Sequence, residues 1–360
     1  MTEANAAKFE VSTSRHFVDW MAASGVSVAV TTYHSNRLFL FGVKPSGRLW
    51  VLNRIFERAM GLAATPERLV LANRYQLWQF ENVLRPGESD GEHDRVYKPH
   101  LAWTTGAIDV HDVALDGQGA PVFVVTLFSC LATSDPHHSL RPLWKPRFIS
   151  RLVPEDRCHL NGVAMDGGVP RFVTAAAASD AASGWRERRR DGGVVMEVAS
   201  GEVVASGLSM PHSPRMHAGK LWVLHSGAGE LCTVDPATGK LDTVAFLPGY
   251  LRGLAFAGDF ALVGLSQCRE ERTFQGLPLD DALRRRGDDA RCAVMVVDLK
   301  SGAVAHWIDF GGEVRELYDV QVIADVRCPT ALGLRSKEIW GVVTHEENGH
   351  PVRHTGIPDD

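Results

Sequence analysis

At 360 residues, with 45% hydrophobic and 22% charged side chains, the chain is globular in composition and too long for one ordinary domain unless it is built of repeats. A net charge of −5 alongside 15 histidines is too mild to call for a nucleic-acid or anionic-membrane partner. Residues 1–15 lack the apolar core of a signal peptide and no apolar run approaches a membrane span, so a cytoplasmic protein without membrane association is expected.

In chain order, residues 8–23 read as a helix inside an N-terminal extension, residues 1–25. Residues 26–33, 37–43 and 48–53 read as strands, with a Lys44-Pro-Ser-Gly47 turn before the third. Residues 68–73 and 76–80 form the middle of the first full sheet. Residues 133–148, rich in proline and histidine, read as a long loop, and the basic run 186–190 as a solvated one. Residues 194–205 repeat a strand–turn–strand half.

The clearest unit is 211–249, four short strands between turn signals, with Asp235-Pro-Ala-Thr-Gly239 as its tightest turn. Residues 269–291 are a charged insert with a short helix near 279–286, and 293–310 repeat the strand–turn–strand half. Residues 337–360 read as a strand and a tail, the tail being 344–360. The six cysteines (Cys130, Cys158, Cys232, Cys268, Cys292, Cys328) have no CxxC spacing and read as buried free thiols in a reducing compartment.

One short block recurs: Met60-Gly-Leu-Ala, His111-Asp-Val-Ala, Asn161-Gly-Val-Ala, His212-Ser-Pro-Arg, Arg252-Gly-Leu-Ala and Tyr318-Asp-Val-Gln. The copies start roughly 40 to 65 residues apart, the interval of β-propeller blades with insertions. After the last block no outer strands follow, and before the first no inner strand precedes. The two ends therefore complete one closing blade, which removes exposed sheet edges. The expected fold is all-β, a six-bladed β-propeller over residues 26–343, with seven blades if the N-terminal strands make their own.

As equivalent inner strands, the blocks place their leading residues in a ring around the central channel, where propellers hold ligands. His111, Asn161 and His212 lead three consecutive blades and are candidate metal ligands. His159 joins them as the residue two before Asn161, on the same strand face by the period-two rule. Asp109 stands in the same relation to His111. Imidazoles and an amide oxygen suit iron, copper, manganese or zinc, and calcium less well. Arg252 and Arg215 are candidate anion binders, joined by His225 as a substrate contact, and a salt bridge from Arg252 to Glu316 or Asp319 would occupy it instead. Tyr318, Glu316 and Asp319 are candidates for proton transfer. Asp112 alternates away from the channel. No HExxH, CxxC or EF-hand pattern is present, so a metal site, a metal-free polar pocket and a purely structural lining all stay open.

The strings DRCHLNGVAMDG (156–167), LSMPHSPRMHAGKLWVLHSGAGEL (208–231), LPGYLRGLAFAGDFALVGLS (247–266) and WKPRFIS (144–150) resemble a bacterial family known only as a domain of unknown function. The resemblance runs from about Phe17 to about Val343 and implies a propeller-like fold, without an activity. More loosely, the chain is similar to six-bladed propellers of the gluconolactonase and strictosidine-synthase type. Lactonases of that type hold a channel metal with carboxylates and asparagine. Asn161 fits that pattern, whereas His111 and His212 depart from it toward a softer metal. The expected function is a metal-dependent hydrolase, lyase, isomerase or oxidative enzyme acting on a small polar or anionic substrate, with Arg252, Glu316 and Tyr318 as catalytic groups. The alternative is a non-catalytic propeller that binds a peptide or protein.

Overall fold

Short runs of β-branched and aromatic residues punctuated by turn residues favour antiparallel meanders. In the computed structural model, which describes residues 9–267, 275–334, 337–348 and 350–355, these runs pair into six sheets arranged in a ring, a six-bladed β-propeller. The inner strands of blades one to six are Asp319–Ala324, Leu62–Ala64, Val110–Leu115, Leu160–Asp166, Pro211–His217 and Tyr250–Ala257. Each packs beside the next, and the sixth packs beside the first.

Blade one joins both parts of the chain. Asp319–Ala324 pairs with Val26–Thr32, in a register that runs from Val26 opposite Ala324 to Thr31 opposite Asp319. Arg37–Val43 and Leu49–Ile55 complete the blade. The count is therefore six, because the N-terminal strands have no inner strand of their own.

Two ends differ from the sequence expectation. Residues 8–23 are not one helix. Phe9–Thr13 is a fifth strand on blade six, paired antiparallel with Val304–Gly312. Its Phe9, Val11 and Thr13 are half-buried and its Glu10 and Ser12 exposed, a period of two that a helix cannot satisfy. The helix is Phe17–Ser24 and ends at Gly25, whose φ of +64° lets its N–H reach the Ala22 and Met21 carbonyls. Phe17, Trp20 and Met21 pack with Phe39, Phe41, Ile308 and Phe310 and seal the junction of blades six and one. Each such side chain stabilises the junction by roughly 1.5–3 kcal/mol. Near the C-terminus, Val343–Glu347 and His350–His354 form a hairpin, and the last five residues of the expected tail lie outside the described residues.

The expected loop at 133–148 is partly a blade edge. Thr133 pairs with Arg141 and Leu131 with Trp144, which makes Arg141–Trp144 the outer strand of blade three. The turn is held by Asp135 Oδ1, which accepts the N–H groups of His137 and His138, both at 2.9 Å.

In a meander, the links from second to third strand and from blade to blade emerge on one face. The long inserts are links of the first kind, residues 176–192 in blade four and 275–292 in blade six. The second carries the helix Pro278–Arg286, where the sequence places one. The inserts meet each other. Arg189 Nη2 donates to the Gln275 carbonyl at 3.1 Å, and Arg190 contacts the Gly276 carbonyl and Asp281. Trp185, Leu277, Leu279 and Leu283 form one apolar cluster with Met210 and Tyr250. The basic run 186–190 is mostly exposed, as expected of a solvated run, and its Arg189 and Arg190 also latch one insert to the other.

The five described cysteines are free and buried, and Cys268 lies outside the described residues. Among the described residues no helix is long and apolar enough to cross a membrane.

Candidate functional site

The second residue of each block builds a waist in the channel. Around the ring these are Gly61, Asp112, Gly162, Ser213, Gly253 and Asp319, glycine alternating with a hydrogen-bond acceptor. Asp112 Oδ2 accepts Val163 N–H at 3.0 Å, Ser213 Oγ accepts Gly253 N–H at 3.0 Å, and Asp319 Oδ2 accepts Leu62 N–H at 2.8 Å. The glycines make room: a Cβ on Gly162 would stand 3.1 Å from Asp112 Oδ2 and 2.4 Å from Pro214 Cδ. This alternation is visible in the repeated blocks and is the signal that identifies the waist.

Arg215 belongs to this waist. Its Nη1 and Nη2 donate to Asp112 at 2.7 and 3.0 Å, and Nη2 stands 4.0 Å from Asp319. The expected substrate contact is therefore spent on buried carboxylates. Asp319 is spent likewise on the backbone of Leu62 and Val320. Burial first, and the neighbouring Asp112 second, raise its carboxyl to about 7. Asp112 is structural, holding Val163 N–H and Arg215, but it does so in the waist and not by alternating away from the channel as expected.

The leading residues gather at the insert-bearing face. Met60, His111, Asn161, His212, Arg252 and Tyr318 are all buried. The His111 ring centroid lies 5.5 Å from Tyr318, 6.2 Å from His212 and 4.8 Å from His159. The Arg252 guanidinium lies 4.7 Å from the Tyr318 ring centroid and 5.5 Å from that of Tyr250, and Nη1 donates to Glu316 Oε1 at 3.4 Å. Glu316 Oε2 stands 3.3 Å from Nε2 of His34, whose side chain is half exposed. The candidates His111, His159, Asn161, His212, Arg252, Glu316 and Tyr318 thus come together, and Arg215 does not join them.

His159 arrives by a different route from the one its spacing suggests. Asp109, His159 and Met210, each two residues before a leading residue, have φ of +58°, +52° and +47°. They are left-handed turns, each costing roughly 1–3 kcal/mol. The period-two rule does not apply to them, yet the turn still swings His159 toward His111.

The hydrogen-bond partners fix the tautomers. His212 Nδ1 is 2.8 Å from the Met210 carbonyl, which can only accept, so Nδ1 carries the hydrogen. His159 Nδ1 is 2.9 and 3.0 Å from the Asp156 carboxylate, which also accepts Trp185 Nε1–H at 2.8 Å. Thr126 Oγ1 donates to the Leu160 carbonyl at 2.7 Å, so it receives Nδ1–H from His111, also at 2.7 Å. Nε2 of His111 and of His212 is left with a lone pair. Burial is the main cause that lowers His111 to about 4 and His212 well below the usual range, with nearby Arg252 adding to both shifts. Asn161 Nδ2 donates to the Pro211 carbonyl at 2.9 Å. Among the described residues, Asn161 Oδ1, His212 Nε2 and Tyr318 Oη are buried without a hydrogen-bond partner.

His225 turns instead to Glu230 on the adjacent strand, 3.3 Å away. With Cys232 these form the one His/Cys/Asp/Glu trio, among the described residues, whose ligand atoms lie within 4.8 Å of one another.

Residues 15–332 match the family described as Domain of unknown function (DUF4915). The chain belongs to this family. No curated protein matches the DUF4915 chain. Among solved structures it is similar to a chain in "Crystal structure of Nidogen/Laminin Complex", with a TM-score of 0.51 and 11% identity over 84% of this chain and 99% of that one. It is also similar to virginiamycin B lyase from Staphylococcus aureus, with a TM-score of 0.41 and 7% identity over 84% of this chain and 99% of that one. TolB from Acinetobacter baumannii gives a TM-score of 0.43 and 12% identity over 87% of this chain and 70% of that one. The first of these likenesses concerns the propeller fold of the DUF4915 chain alone.

Proposed function

We propose that the DUF4915 chain is an enzyme acting on a small polar or anionic molecule at the buried mouth of its channel. One observation carries the reading: among the described residues Asn161 Oδ1, His212 Nε2 and Tyr318 Oη are buried without hydrogen-bond partners, and the His111 ring lies beside both His212 and Tyr318. Each such group costs roughly 1–3 kcal/mol, so a ligand that satisfies all three offsets a substantial penalty. Arg252, presented between the Tyr250 and Tyr318 rings, would exchange its 3.4 Å contact with Glu316 Oε1 for the anionic end of the substrate. Tyr318 and Glu316 would carry protons, with His34 linking Glu316 to solvent. Hydrolysis, lyase chemistry, isomerisation and metal-dependent oxidation are all compatible with these groups.

The test is thermal unfolding of the full chain with oxalate, citrate, phosphate and sugar acids, beside Arg252→Gln. A binder present at 100 times its Kd stabilises the fold by about 2.7 kcal/mol, a gain that Arg252→Gln should lose. Equal responses from both proteins would remove Arg252 from the site.

A second reading, a non-catalytic propeller that binds a peptide, draws on a groove of about 580 Å³ between blades one and two. Its lining includes the exposed Ile55, Tyr75 and Leu334. Selection from a peptide library, repeated on Ile55→Asp and Tyr75→Ala, tests it. Peptides that bind the variants equally well would exclude the groove.

A further inference from the structure

We infer that His111, Asn161 and His212 are three ligands for one divalent transition-metal ion, presented by three consecutive blades. The inference rests on the reading of this cluster as a ligand site and names what occupies part of it.

The chemistry of the donor atoms selects a cation. His111, His159 and His212 each commit Nδ1–H to an oxygen acceptor: the Thr126 hydroxyl, the Asp156 carboxylate and the Met210 carbonyl. That is how proteins orient imidazoles whose other nitrogen ligates a metal. Asn161 is oriented in the same way, through Nδ2 to Pro211. The result is a group of lone pairs pointing away from their own anchors, two of which, Asn161 Oδ1 and His212 Nε2, are buried without partners among the described residues. Neutral nitrogen and amide donors suit zinc, iron, copper or cobalt rather than calcium or magnesium, which want carboxylate oxygen.

Spacing excludes one combination of these residues. Ligand atoms about 2.1 Å from a metal lie at most about 4.2 Å apart. The nitrogens of His111, His159 and His212 do not all lie within 4.8 Å of one another, so the three imidazoles cannot meet at one ion as they stand. His159 is stacked on Trp185 at 4.0 Å, which holds it against the wall. His212 has the buried nitrogen without a partner and is the second imidazole. Three protein ligands leave positions open for water and substrate, as catalytic sites require. An anion held by Arg252 would complete the shell.

The experiment uses the full chain, stripped with a chelator and titrated with Co²⁺ and Zn²⁺. The expected result is one equivalent of Co²⁺ with visible d–d bands and no thiolate charge transfer. Its affinity should fall at least about 100-fold in His111→Ala and in His212→Ala, and about 10- to 100-fold in Thr126→Val, which loses the anchor of His111 together with the bond to the Leu160 carbonyl. His159→Ala and Cys232→Ser should retain it. Circular dichroism melts establish that each variant is folded.

Thiolate charge transfer that disappears in Cys232→Ser would move the metal to the His225–Glu230–Cys232 trio and overturn the inference. So would equal affinity in folded His212→Ala, or the absence of stoichiometric binding. If anions still bind in an Arg252-dependent way without metal, the ligand site stands and the metal falls.

Discussion

Gly162 shows how closely the inner strands are fitted. Its missing Cβ would lie 2.4 Å from Pro214 Cδ and 3.0 Å from the Ser213 nitrogen, atoms of the neighbouring blade that cannot move alone. Gly162→Ala should therefore lower stability by about 1–3 kcal/mol, the usual cost of overpacking. Chemical denaturation checks this, and an unchanged midpoint would mean that the waist is looser than described. Asp319 makes a prediction about pH at the same scale. Its carboxyl is raised from 3.8 to about 7, so the folded chain holds this proton more tightly than the unfolded chain does. Its contribution is complete below the unfolded value and is lost as pH rises through about 7. Asp319→Asn cannot titrate. The melting temperature of the parent, relative to this variant, should fall between about pH 4 and pH 7 and level off above. A constant difference would show that Asp319 is ionised throughout.

At the scale of elements, the two inserts act on the site without belonging to a blade. Arg189 and Arg190 tie residues 176–192 to 275–281 through contacts that are largely exposed. Exposed ion pairs contribute about 0–1 kcal/mol. The pair Arg189→Ala/Arg190→Ala should therefore leave the global unfolding midpoint nearly unchanged. Amide exchange in the helix Pro278–Arg286 should quicken, because that helix is held by the latch and by Leu279 and Leu283. Unaltered exchange would place its anchorage in the apolar contacts alone. Most elements could be read locally: strand runs around Lys220 and Ala293 and the helix near residue 279 appear where their periodicity put them. The exceptions have physical causes. Phe9–Thr13 alternates over too few residues to outweigh the helical pattern of residues 17–24 beside it. The strand Arg141–Trp144 is mostly exposed, so no apolar pattern marks it, and only pairing with Leu131 and Thr133 defines it.

For the whole molecule, closure of the ring depends on one short strand. Asp319–Ala324 supplies the inner edge of blade one, and its pairing with Val26–Thr32 joins blade one to the rest of the ring. Truncation after Tyr318 should abolish cooperative unfolding and cause aggregation through the exposed edge of Val26–Thr32. Deleting residues before Phe17 removes the outer fifth strand Phe9–Thr13 and should lower the melting temperature modestly. Size-exclusion chromatography with thermal melts distinguishes the two, and a monomeric, cooperative 1–318 chain would show that blade one closes without its inner strand.

The sequence by itself determined the repeats, their closure across the two ends and the ring of leading residues, while six blades rather than seven followed only from the pairing of Val26–Thr32 with Asp319–Ala324. Each blade packs chiefly on its neighbours, so a local pattern repeated around the ring specifies the whole. It also placed His111, Asn161, His212, Arg252 and Tyr318 in that ring. Only the tertiary structure decided which polar residues share a site. Arg215 goes to the waist because Asp112 lies on a different blade, and His159 approaches His111 because a left-handed turn breaks the strand period. The hydrogen on each imidazole likewise depends on partners such as Thr126 and Asp156, which reach the rings through turns that strand periodicity does not describe.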